Sequence, residues 1–132
     1  MDYNFKKFEG RNNKTEDRIT VTKSESIGFP QRFFQQNNIN NFNYAVIYWD
    51  NEKLALAIRF TNDENEKSKF KIIKSKDGYG GAIVVRSFFK TNGIKASDYH
   101  GRYEWEKVDL DGEGQVYVIN LVKKDSSESV SA

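Results

Sequence analysis

Two phenylalanines, an isoleucine and two tyrosines recur along this chain at one fixed spacing. Phe33, Phe34, Ile39, Tyr44 and Tyr48 return without a gap as Phe88, Phe89, Ile94, Tyr99 and Tyr103, each 55 residues later. Repetition at a constant period marks one supersecondary unit used more than once. A chain of 132 residues has room for one domain and one core. Two copies therefore imply two halves that share that core.

Composition narrows the chemistry. Ten Phe, seven Tyr and two Trp must supply much of the buried area. The absence of Cys excludes a disulfide scaffold and a thiolate metal site, and fits a reducing compartment. No apolar run approaches 18 residues, which predicts no membrane-spanning helix. The first residues lack the apolar core of a signal peptide, so a cytoplasmic protein is expected. A net charge of +2 is nearly neutral, and any electropositive site must come from uneven placement of charge.

Along the chain, residues 1–17 read as an N-terminal arm and polar loop. Residues 18–122 read as a single domain with halves at 18–62 and 67–122, and the Ser-rich segment 123–132 reads as a disordered tail. Residues 18–23 alternate and are rich in β-branched side chains, a strand signal. Pro30 suits the opening of a helix over 30–37, with Asn37 and Asn38 as left-handed terminators. Ser87 and Gly93 are the corresponding start and stop of a second short helix. Hairpins are predicted for 44–49 with 53–60, for 69–74 with 81–85, and for 102–108 with 115–122. Each half thus runs strand, strand, short helix, strand, strand. Neither half buries a full face alone. The expected class is α+β, mostly β, with the halves interleaved into a barrel-like body about a pseudo-twofold axis. Phe33, Phe88, Ile39 and Ile94 should be buried.

The order of elements, with Pro30 after Ile27 and Phe29, then Phe33, the Asn38–Ile39 pair, a strand over 44–48, the acidic turn Asp50–Glu52 and a strand over 54–58, resembles the AbrB/SpoVT/MazE swapped-hairpin family. The second copy follows with Ala82–Val85, Phe88, Gly93–Ile94, Tyr99–Tyr103 and Val116–Leu121, without the Pro and with a longer last turn. The resemblance covers about residues 18–122. It implies that one chain supplies the two halves that two short chains usually swap, as a monomeric pseudo-dimer or a further homodimer. It also implies a non-enzymatic regulator that binds DNA. Family members carry basic residues on the first hairpin and just past the Pro. Here Phe34 and Gln35 stand at those later positions, with Arg32 near, and Phe89 and Lys90 stand there in the second copy.

Positive charge gathers instead around the second hairpin. Lys67, Lys69, Lys71, Lys74 and Lys76 precede Arg86 and Lys90. On a strand, residues 67, 69 and 71 would share one face and offer a row of ammonium groups to phosphates. Lysines on an exposed strand also guard an edge against wrong pairing, and that alternative stands beside the first. Residues 77–81 (Asp-Gly-Tyr-Gly-Gly) could present backbone N–H groups and Tyr79, but a hairpin turn accounts for them. Residues 109–114 resemble a calcium loop only superficially, lacking the ligand spacing. With one His, no Cys and no nucleophile elbow, catalysis is not expected, and neither is a cofactor or a metal. Tyr44, Tyr48, Trp49, Tyr99, Tyr103 and Trp105 form either a base-stacking surface or shared core packing. The leading expectation is DNA binding through the basic hairpin. The rivals are a protein-interaction module that kept the fold and a Whirly-like binder of single-stranded nucleic acid.

Overall fold

The computed structural model describes residues 17–76 and 80–123. The expected arm, most of the tail and the tip of the glycine-rich turn with Tyr79 lie outside the described residues. The fold is α+β and mostly strand. In chain order it runs β1 (Ile19–Val21), β2 (Ser26–Pro30), α1 (Gln31–Asn37), a 3-10 turn (Ile39–Asn41), β3 (Tyr44–Asp50) and β4 (Ala55–Thr61). There follow β5 (Phe70–Lys71), β6 (Ile73–Lys74), β7 (Gly80–Val84), α2 (Arg86–Asn92), α3 (Ala96–Tyr99), β8 (Gly101–Tyr103), β9 (Glu106–Leu110) and β10 (Gly114–Asn120).

These strands make two antiparallel five-stranded sheets, ordered β6-β7-β2-β1-β8 and β5-β3-β4-β10-β9. Both sheets mix the two halves, through β2 beside β7 and β4 beside β10. The described strands do not close into a single hydrogen-bonded barrel. The chain instead crosses between sheets through α1, at Ile72 and at residues 104–105. Ile72 is the sharpest crossing. Phe70 and Lys71 pair with β3, whereas Ile73 and Lys74 pair with β7. Buried Ile72 sits at the corner and donates its N–H to Asn43 O at 2.9 Å. The expected strand over 102–108 is likewise split, because Tyr103 ends in one sheet and Glu106 begins in the other.

The repeat is visible in local geometry. Both helices end on a left-handed residue 55 positions apart, Asn38 (φ 56°) and Gly93 (φ 64°). Asn37 Nδ2 donates to Phe33 O at 3.0 Å, and Asn92 Nδ2 donates to Phe88 O at 2.9 Å. A second pair with positive φ, Glu25 and Gly80, keeps the same offset. The helix starts differ from expectation by one residue in the first half and by two in the second. Pro30 is the N-cap, still extended at φ −75° and ψ 165°, and not the first helical residue. In the second half Val85, not Ser87, is the N-cap, because its N–H is held by Glu25 O at 2.9 Å.

Packing centres on Phe33, which is fully buried. Its ring meets Phe29 at 5.4 Å, Phe60 at 6.1 Å, Trp105 at 5.2 Å and Tyr117 at 5.1 Å. Phe88 and Ile39 are buried as expected, while Ile94 is only half-buried against the core. At Gly81 two backbones come so close that a Cβ would lie 2.6 Å from Ile73 O and 2.9 Å from the Phe34 ring. Phe33→Ala should cost on the order of 3–5 kcal/mol, since the surrounding rings collapse only partly into the void. Gly81→Ala should cost about 1–3 kcal/mol by overpacking. Urea denaturation of both variants checks these values, and a change below about 0.5 kcal/mol in Phe33→Ala would place the core elsewhere.

Candidate functional site

The crossing at Ile72 determines where the predicted lysines go. The strand begins at Phe70, after a turn at Lys67 and Ser68 in which Ser68 adopts φ 59°. Residues 67, 69 and 71 therefore do not form a straight row on one strand face. The structure gathers Lys69, Lys71 and Lys74 around the start of β3 instead. Lys69 Nζ lies over the Tyr44 ring, 5.1 Å from its centroid, and donates to Glu66 O at 3.2 Å. Lys71 is the direct antiparallel partner of Tyr44. Lys74 Nζ donates to Asn40 O at 2.8 Å and reaches Asn43 Oδ1 at 3.5 Å.

The result is a partly exposed tyrosine beneath one ammonium group, with Lys71 on the adjacent strand and Lys74 bonded to the loop that precedes it. Asn62 fixes the loop that carries it: Asn43 N–H donates to Asn62 Oδ1 at 2.9 Å, and Asn62 Nδ2 donates to Asn41 O at 2.7 Å. Lys67 and Lys76 are placed on either side of the corner strand. Helix α2 borders it as well, since Ser87 and Thr91 line a cleft of about 210 Å³ together with Ser68 and Phe70. Arg86 and Lys90 are both exposed on this helix. Arg86 is tied to Glu25 at 3.1 Å, a pair exposed enough to contribute little to stability. Lys90 lies in the last helical turn, where a cation also suits the helix dipole.

A second polar group has no signature in the sequence. Arg59 donates from Nε to Tyr48 OH at 2.9 Å and from its terminal nitrogen to Glu66 Oε1 at 2.6 Å. Tyr48 OH in turn donates to Glu113 Oε1 at 2.5 Å. The chain separates Tyr48 from Glu113 by 65 residues, so no local pattern signals the contact. Burial, reinforced by the bond to Glu113, pushes the Tyr48 phenol above its ordinary value against the opposing pull of Arg59. The Arg59 guanidinium is raised as well, first by its bond to Glu66 and then by that to Tyr48. Among the described residues no group of three or more His, Asp or Glu side chains is placed to hold a metal ion. No helix among them is long and apolar enough to cross a membrane.

No family model matches this chain, and no curated protein or solved structure is significantly similar to it. The likeness to the swapped-hairpin family therefore rests on this chain's own residues.

Burial also raises the phenols of Tyr103 and Tyr117, the former against a bond with Val122 that lowers it. A raised phenol binds its proton more tightly in the folded than in the unfolded chain. Its contribution to stability is whole below the ordinary tyrosine value of about 10 and is lost as pH rises through the folded value. Urea midpoints should thus hold steady approaching that pH and fall above it. Tyr103→Phe should soften the fall, and a midpoint unchanged between about pH 9 and about pH 11, a span of roughly one unit either side of the ordinary value, would contradict the assignment.

Proposed function

We propose that this chain is a non-enzymatic nucleic-acid-binding protein of regulatory type. It holds phosphates on the lysine surface about Tyr44. The observation that carries this reading is the gathering of Lys69, Lys71 and Lys74 at the start of β3, with Lys69 over the Tyr44 ring, Lys71 paired with Tyr44 and Lys74 bonded to the loop just before it. Edge protection needs lysines spread along a strand. Here two of the three are drawn in by carbonyl oxygens, and one of them lies over an aromatic ring. Phosphate-holding lysines position a backbone and carry little sequence information themselves.

The proposal includes a pseudo-twofold, barrel-like relation of the two halves, in keeping with AbrB-type regulators. Three features support it: the left-handed positions at a 55-residue offset, the matched Asn37 and Asn92 bonds, and the register of β2 with β7. That register pairs Ile27 with Ile83 and Gly28 with Ala82, so a twofold at this offset passes through the middle of the paired strands. A second reading, a protein-interaction surface, is favoured by Ile73 and Val84. They are 58% and 44% exposed on neighbouring strands of one sheet.

Retention on DNA across a salt series separates the two. Replacing Lys69, Lys71 and Lys74 with Gln should weaken binding to all sequences about equally. The slope of log affinity against log salt should become shallower by roughly 0.9 for each phosphate of duplex DNA that is no longer neutralised. Folding stability should stay within about 0.5 kcal/mol. Absence of salt-dependent binding by the unaltered protein at low ionic strength would hand first place to the interaction surface.

A further inference from the structure

Next to the lysine surface lies a cleft of about 310 Å³ lined by Phe42, Arg59, Phe60, Glu113, Gln115 and Tyr117. That volume is at the lower end of ligand sites and suits one small ring system rather than an extended molecule. Three of its six lining residues are aromatic. The Phe42 and Phe60 ring centroids lie 6.3 Å apart, and those of Phe60 and Tyr117 lie 5.6 Å apart. The polar lining supplies three different edge chemistries: the Gln115 amide gives both donor and acceptor, Glu113 accepts, and Arg59 donates. Arg59 is already bound to Tyr48 and Glu66, and Tyr48 to Glu113, so these side chains are held in place before any ligand arrives.

The cleft and the lysines share one loop. Phe42 lines the cleft, Asn43 accepts from Lys74, and Tyr44 lies under Lys69. Phe42 and Tyr44 are two residues apart, so their backbones lie within about 7 Å of each other. A strand with a phosphate on Lys69, over Tyr44, is thereby brought alongside the loop that lines the cleft. The carboxylate of Glu113 repels phosphate and accepts from exocyclic amines, so it favours a base pointing inward and a backbone outside.

We infer that the cleft receives a single unpaired nucleobase, and that the nucleic acid bound at the lysine surface is single-stranded. This rests on the lysine surface proposed above as a phosphate site. In a duplex the base faces are stacked and cannot enter an aromatic cleft, whereas single strands offer them freely. The sugar is left open by this chemistry, since neither base stacking nor phosphate contact distinguishes ribose from deoxyribose.

The test uses DNA and RNA single strands of one sequence, about 12 nucleotides long to span one site of this class, each carrying a 2-aminopurine, and the matching DNA duplex, at fixed salt. The full chain should bind at least one single strand about tenfold more tightly than the duplex, with its fluorescence quenched by stacking, a modest share of what one stacked base contributes. Whichever sugar is preferred names the source. Gln115→Leu, at an exposed position, should reduce that preference and the quenching while leaving the salt slope unchanged. The triple lysine-to-Gln variant should lower the slope and keep residual quenching at high protein concentration. Equal affinity for single strand and duplex, with a normal salt slope, overturns the base cleft and leaves the lysine surface intact. A Gln115→Leu variant with full quenching and full preference overturns it too. Binding to neither form at low salt overturns both.

Discussion

Phe33 receives rings from both ends of the chain. Phe29 and Phe60 come from the first half, Trp105 and Tyr117 from the second, and all four lie within 6.1 Å of it by centroid. Aromatic pairs in such stacked, tilted and edge-to-face arrangements contribute beyond their buried area. Trp105 also donates from Nε1 to Asp17 O at 2.8 Å, which ties the chain ahead of β1 to the same cluster. A core assembled this way cannot form from either half alone. It requires β4 beside β10, so that Phe60 and Tyr117 face the same ring. The mixed sheets follow from where the aromatics must meet.

The two halves share local features and differ at the start of β3. Tyr99 is buried, whereas its counterpart Tyr44 is partly exposed beneath Lys69. Val85 anchors its half through an N–H bond to Glu25, and Pro30, which stands in its place, has no N–H to give. At that point the first half relies on close backbone approach. Gly80, with φ +106°, lies against Phe29 and Pro30 so closely that a Cβ would sit 2.4 Å from Phe29 O. Strand β7 is thereby pressed against the start of α1, and the corner strand in turn lies against β7 at Gly81.

Much of this was legible in the sequence for a physical reason. Helix ends announce themselves through residues that tolerate positive φ, and Asn38 and Gly93 were readable as such. Hairpins announced themselves by alternation, and β3 with β4 falls within two residues of expectation at every boundary. The crossings were not readable. A strand that changes sheet at Ile72 has the same alternation as one that does not, because the pattern records only which side chains face inward. The lysines were visible as a run, but their gathering at Tyr44 depended on that crossing. The Tyr48–Arg59–Glu113 chain was invisible, since it joins residues that only the tertiary fold brings together.

The placement of charge has a consequence for how a surface of this kind works. Lys69 and Lys74 each give hydrogen bonds to backbone carbonyls, which accept donors without cancelling a full charge. Arg59 and Arg86 are instead paired with carboxylates, so their charges are largely balanced within the molecule. Lys69 and Lys74 are thus oriented without a carboxylate partner in these bonds. Orientation by carbonyls reduces the side-chain entropy lost when a phosphate is bound. The nearly neutral total charge keeps the long-range field weak. Any anion near this corner would therefore meet a field set by local placement of charge, with one ammonium lying over the Tyr44 ring.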